Sequence, residues 1–292
     1  MGRLGTALAI AAIVLAGSAV ADGVFFFSTG APNGLIATAS RPASPGRMEI
    51  ESGDDFLLTT GALISRATFT GLLTGGATAG NIGEVRVEIY RVFPFDSDAS
   101  RVIDVPTRTN SPSHVALDDR DTADSSLTFT TVSLGAFTSG NSVLNGINPF
   151  PNQTTGGDGL IMGSEYLFDV SFSPYALPPG HYFFIPQVTI TGGGQFYWLS
   201  APRPIGADGT PFTPDLQSWI RNANLDPDWL RIGTDIVGSG AFNGAFSLAG
   251  ITVPEPGTLV LFGVGLVGLA MVRRRANLIT RARHRYRGER AG

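Results

Sequence analysis

Apolar and polar residues alternate with a period of two through several parts of the chain. In the run Glu84-Val85-Arg86-Val87-Glu88-Ile89-Tyr90-Arg91-Val92, the residues Val85, Val87 and Ile89 fall on one side and Arg86, Glu88 and Tyr90 on the other. That pattern predicts a half-buried β-strand. The run Glu165–Phe172 repeats it, with Tyr166, Phe168, Val170 and Phe172 directed inward. Stretches rich in β-branched and aromatic residues add Val24–Ser28, Met48–Glu51, Ala67–Leu73, Ser126–Leu134, Tyr182–Ile190, Gln195–Leu199 and Ala245–Ile251. Helical spacing is confined to short turns near Asp215–Arg221 and Pro227–Ile232. Many strands separated by Gly, Pro and Asn turns predict an all-β fold, an antiparallel β-sandwich of jelly-roll or Ig-like outline. Two long stretches without a strand pattern, Pro94–Ser125 and Ser200–Asp228, are the places to look for a ligand, because loops of that length in a compact domain tend to be functional.

Composition narrows the chemistry. The 292 residues include 38 Gly and no Cys, and 15% are charged, well below the usual share of about 25%. Without Cys there is neither a disulfide framework nor a Cys-ligated metal, and three His argue against a His-rich centre. No cofactor is expected. All 20 basic residues are Arg, and their placement divides the chain. Residues 22–253 carry 11 Arg against 22 acids, a charge of −11, whereas residues 273–292 carry 8 Arg against one acid, a charge of +7. A body so acidic repels phosphate backbones and excludes nucleic acid as its partner.

Both ends read as addresses. Arg3 precedes an apolar run from Leu4 to Ala16, and Ala19 and Ala21 form the small-residue pair that signal peptidase admits. Residues 1–21 are therefore expected to be a signal peptide removed after Ala21, leaving an extracytoplasmic body over residues 22–253. At the other end, Pro254 and Pro256 hold the backbone around Glu255 extended. The 15 apolar residues Thr258 to Val272 would form a helix of about 22 Å, a weak anchor against a hydrocarbon core of about 30 Å. Arg273, Arg274 and Arg275 then act as the stop-transfer flank, placing residues 276–292 as a basic cytoplasmic tail.

The string "VPEPGTLVLFGVGLVGLAMVRRR", residues 253–275, resembles the PEP-CTERM sorting signal of Gram-negative bacteria, also catalogued as an ice-binding-protein C-terminal domain. The resemblance implies recognition of Pro254, Glu255 and Pro256 by an exosortase-type membrane peptidase, transient anchoring in the inner membrane, and release to the cell surface or beyond. It covers about 23 residues, and the chain departs from the family pattern by continuing past the Arg cluster as "ANLITRARHRYRGERAG". Gly263, Gly265 and Gly268 match G-x-G-x-x-G, but no strand, helix and acidic partner surround them as a dinucleotide site requires. Ice binding would call for a repeated Thr-rich face, and no fixed-period repeat occurs.

Within the body, Asp118, Asp119, Asp121 and Asp124 put four carboxylates in seven residues, a calcium candidate set weighed against a solvated acidic loop. Phe196-Tyr197-Trp198, Trp219 and Trp229 could stack on sugar rings, although large aromatics between two sheets mostly pack the core. No G-x-S-x-G nucleophile elbow is present, and neither His114 nor His181 has a partner that the sequence identifies, so both read as structural. The expected function is that of a non-enzymatic surface or matrix protein associated with exopolysaccharide. The rival readings are a secreted carbohydrate-active hydrolase and a calcium-dependent adhesin.

Overall fold

The computed structural model describes residues 23–101, 109–148, 154–203, 212–238 and 240–253, with Gly265 and Gly268 beyond them. In chain order the strands among these residues are β1 (Val24–Ser28), β2 (Ile36–Ala39), β3 (Ile50–Leu58), β4 (Ala62–Leu73), β5 (Ile82–Arg91), β6 (Asp118–Asp121), β7 (Leu127–Ser139) and β8 (Asn141–Val143). They continue as β9 (Ile161–Leu177), β10 (Gly180–Ile190), β11 (Phe196–Ala201), β12 (Trp219–Asn222), β13 (Leu230–Arg231), β14 (Asn243–Gly244) and β15 (Phe246–Thr252).

These strands form two sheets. The nine-stranded sheet is organised by β4, which pairs along one side with β9, while β15 and β11 share the other side. Beyond β9 lies β7, beyond β15 lies the edge strand β1, and β11 leads on to β2 and β8. The six-stranded sheet runs β13-β12-β3-β10-β5-β6. Pairing is antiparallel except between β2 and β8.

Alternation along each strand builds the core shared by the two sheets. Phe56, Val85, Val87, Ile89 and Phe184 from the six-stranded sheet meet Phe69, Phe168, Val170, Phe196, Trp198 and Phe246 from the nine-stranded one. The Phe184 and Phe246 rings stack across this layer with centroids 5.1 Å apart. Gly71 is required for the packing, because a Cβ there would lie 2.0 Å from the Phe196 ring.

Several sequence expectations change at this level. The second half of strand β5 is buried on both faces: Glu88 and Tyr90 are buried as well as Val87 and Ile89, and Tyr90 packs with Leu216, Trp219 and Trp229 from the chain between Phe212 and Arg231. Two stretches expected to lack strands contain them. Asp118–Asp121 is β6, paired with β5, and Trp219–Asn222 is β12, paired with β3, where a helical turn was expected. The second expected turn is displaced, since Leu230–Arg231 is extended and the helical segment is a π-helical turn at Ile232–Val237. Strand β3 also runs on through Gly53-Asp54-Asp55.

Among the described residues no helix is long and apolar enough to cross a membrane. The helix expected over residues 258–272 lies outside the described residues apart from Gly265 and Gly268, and so do the signal peptide and the basic tail.

Candidate functional site

Two places concentrate chemistry: the point where the body meets the C-terminal stem, and a row of buried acids on the outer face of β3.

The stem leaves from β15, one strand in from the edge. Thr252 is tied to Gly23 by three contacts: its backbone N–H donates to the Gly23 carbonyl at 2.7 Å, its Oγ1 accepts from the Gly23 N–H at 3.0 Å, and the same hydroxyl lies 3.1 Å from the Gly23 carbonyl. The Val253 N–H donates to the Gly61 carbonyl at 2.7 Å in the turn between β3 and β4. Strand β15 reaches this corner past a bulge, and Gly250 accommodates it: a Cβ at that position would lie 2.0 Å from the Leu63 carbonyl oxygen. The beginning of the body and the start of the stem are thus pinned side by side. Removal of the leader after Ala21 would leave all of β1 and the Gly23 contacts intact, and mass spectrometry of the exported protein is expected to find Asp22 at its N-terminus. An exported form retaining Met1 would refute that cleavage.

The family model for the PEP-CTERM protein-sorting motif matches residues 252–275, beginning on the last residue of β15. The chain carries a PEP-CTERM protein-sorting motif at that end. This motif marks a protein for sorting to the cell surface or export, and it is processed by exosortase, a membrane protein. No curated protein and no solved structure matches the chain. The residues expected to serve recognition (Pro254, Glu255 and Pro256), stop-transfer (Arg273, Arg274 and Arg275) and leader cleavage (Ala19 and Ala21) lie outside the described residues.

The buried acids of the body come from β3. Glu51 and Asp55 face outward from the shared core, yet both are covered by the segment bearing β12. Arg221, directly opposite Glu51, grips it with Nε and Nη2, and Nη2 also donates to the Tyr90 hydroxyl at 2.9 Å. The Tyr90 hydroxyl in turn donates to Glu51 Oε1 at 2.7 Å. The guanidinium lies 4.4 Å from the centre of the Trp229 ring, so its flat face is packed while its edge is bonded. Burial opposes the charge on Arg221, but Glu51, Tyr90 and Asp226 more than offset that and raise its pKa. Burial and the neighbouring Glu51 push the Glu88 carboxyl well up.

Asp55 is saturated. Arg203 donates to both of its oxygens at 2.6 and 3.1 Å, His181 Nε2 lies 2.5 Å from Oδ2, and the Leu216 N–H donates to Oδ1 at 3.1 Å. The partner of His181, which the sequence does not identify, sits 126 residues away on an adjacent strand. His114 Nε2 lies 3.9 Å from Asp228 Oδ1.

Asp54 points the opposite way, accepting from Ser218 Oγ at 3.2 Å and the Gly244 N–H at 3.0 Å. Burial first, and then adjacent Asp55, raise its pKa well above the usual carboxylate value. A raised native pKa means that the folded protein holds a proton the unfolded chain releases near pH 4, so this contribution is complete below that pH and is lost as pH rises through the native value. Asp54→Asn can keep both hydrogen bonds without the charge. Thermal melts between pH 5 and pH 8 are expected to show a shallower loss of stability in the variant, which should be at least as stable as wild type at pH 8. An unchanged slope would refute the assignment.

The remaining candidate residues separate. Asp118 is engaged by Arg120, Asp121 Oδ1 accepts from the Asp124 N–H at 2.8 Å, and Asp124 Oδ1 accepts from the Ser126 N–H at 2.7 Å. Alternation along β6 places Asp119 on the face opposite Asp118 and Arg120. Among the described residues no group of three or more acids or histidines is placed to hold a metal ion. Phe196, Tyr197, Trp198, Trp219 and Trp229 are all buried and offer no exposed stacking platform.

Proposed function

We propose that this protein is a non-enzymatic surface or matrix component: an extracytoplasmic β-sandwich over residues 22–253, carried out by a signal peptide at 1–21, held transiently by an inner-membrane helix at 258–272, and then released toward the exopolysaccharide. The observation that carries this reading is the sorting motif that starts where β15 ends, with no intervening linker. The sandwich assignment is supported by one core drawing side chains from both sheets. The absence of catalysis is supported by the state of the polar groups in the body: Asp55, His181, Glu51 and Arg221 are spent on holding the segment over β3, and the aromatics that might grip a sugar fill the interior. Polysaccharide association then rests on the exposed sheet faces and loops rather than on a cleft.

Expression with and without the cognate exosortase tests the sorting part. The protein should be recovered shortened at its C-terminus from the surface or medium in the first case, and full-length in the membrane fraction in the second. Co-sedimentation of the released protein with purified exopolysaccharide tests the rest, and a hydrolytic activity that survives repurification would overturn the non-enzymatic reading.

A further inference from the structure

The corner from which the stem departs carries an uncovered apolar patch. Strand β1 reads Val-Phe-Phe-Phe-Ser, with Phe27 in the core and Phe25 packed against it, whereas Val24 is 86% and Phe26 65% exposed. Directly opposed residues of an antiparallel pair share a face, so Val24 lies beside Ile251, and Phe26 beside Ala249. Ile251 is 41% exposed, and Val253, two residues further on, is 40% exposed. On the next strand Leu63 adjoins Ile251, and Arg66, beside Ala249, is bonded to Asp169.

We propose that the patch formed by Val24, Phe26, Ile251 and Val253 rests in the interface of the lipid bilayer while the chain is anchored, fixing the height and direction at which the Pro254–Pro256 stem meets its peptidase. This rests on the reading of residues 258–272 as a membrane anchor. Covalent geometry supplies the argument. Only Pro254, Glu255, Pro256 and Gly257 separate Val253 from the apolar run, so Val253, at the patch's margin, is tethered within about 18 Å of the run's first residue. The leader's apolar run ends at Ala16, a few residues before β1, so the same corner is also drawn to the membrane before the leader is cut.

Exposed Val and Phe side chains held that near the run gain by leaving water for the acyl boundary, and Arg66 and Asp169 beside the patch are paired with one another. A second copy added to the edge of β1 would satisfy that strand's backbone. It would leave Ile251 and Val253, one strand further in, still uncovered.

The chain has no cysteine, so a single one can be placed at will. Full-length protein carrying Phe26→Cys or, on the loop beside the opposite sheet, Val115→Cys would be labelled with an environment-sensitive nitrobenzoxadiazole dye. It would then be reconstituted into phosphatidylethanolamine and phosphatidylglycerol vesicles containing doxyl-labelled phosphatidylcholine. Val115 is 58% exposed, so both labels start in water. The expected result is blue-shifted, lipid-quenched emission at position 26 and neither effect at position 115.

Protein that floats with the vesicles but shows no quenching at position 26 overturns the proposal and leaves the anchor standing. A blue shift without quenching assigns the patch to protein, either a second copy or the chain's own tail, and overturns it too. Equal quenching at both positions refutes a defined docking face. Failure to float refutes the anchor, and this proposal with it.

Discussion

Replacing Arg221 by Met is expected to destabilise the mature protein by about 3 to 5 kcal/mol, the loss seen when one partner of a buried ion pair is removed. Against a typical domain stability of about 5 to 15 kcal/mol, that is a third or more of the total. The side chains of Arg221 and Glu51 are only 6% and 5% exposed, so solvent screens little of the interaction. Methionine could still pack on Trp229, but it would strip the Glu51 carboxylate of its charged partner, leaving the Tyr90 hydroxyl still donating to it, and would release the carbonyl oxygens of His114 and Pro227 that Arg221 Nη1 reaches. A denaturant titration followed by tryptophan fluorescence measures the change directly, because Trp219 and Trp229 border the lost contact. The second variant decides the cause. Adding Glu51→Leu to Arg221→Met removes the stranded charge, and a well-packed apolar pair often matches or exceeds a buried ionic one, so much of the loss should return. A single variant that costs less than about 1 kcal/mol would mean that this pair behaves as an exposed surface contact, and the view of the covering segment as clamped through Glu51 would be wrong.

The same cluster shows where the sequence was legible and where it was not. The inward face of β5 could be read because Val85, Val87 and Ile89 carry a period-two signal that no other element contradicts. Its outward face was read as wet, since Arg86, Glu88 and Tyr90 are polar and nothing local announces that a segment some 130 residues later packs on Tyr90. In β3 the misreading has the same origin. Gly53-Asp54-Asp55 has the composition of a turn, and intrinsic preference is against a strand there. What holds it extended is a set of donors from Arg203, Leu216, Ser218 and Gly244, each reached across more than 140 residues. Strand β6 is four polar residues recruited by the free edge of β5, and β12 is four residues long, too short for alternation to register. The sorting motif stands at the other extreme. Pro-Glu-Pro, an apolar run and an Arg cluster are contiguous, so the signal is entirely local. Its placement beside Gly23, which depends on β1 pairing with β15 across more than 200 residues, could not be seen without the fold.

Replacing Glu255 by Ala is expected to abolish release and leave the full-length protein in the inner membrane. Insertion of the apolar run depends on its hydrophobicity and on the Arg273, Arg274 and Arg275 flank, neither of which the change touches. The body should also be unaffected, because the last residues it holds are Thr252, bonded to Gly23, and Val253, bonded to Gly61, both upstream of the substitution. Recognition is another matter. Pro254 and Pro256 keep the chain extended around a single carboxylate, and a peptidase that reads this motif gains a charge-assisted hydrogen bond there, roughly twice as strong as a neutral one. Glu255→Gln keeps the shape and loses the charge, so it should fall between Ala and wild type and separate the two contributions. Replacing the three Arg residues should instead disturb orientation, with the later Arg residues of the tail partly compensating. Fractionation and immunoblotting in an exosortase-bearing host distinguish these outcomes. Release of the Glu255→Ala protein at the wild-type rate would mean that the carboxylate is not read, and the C-terminus would then have to be explained as a plain hydrophobic anchor with a basic flank.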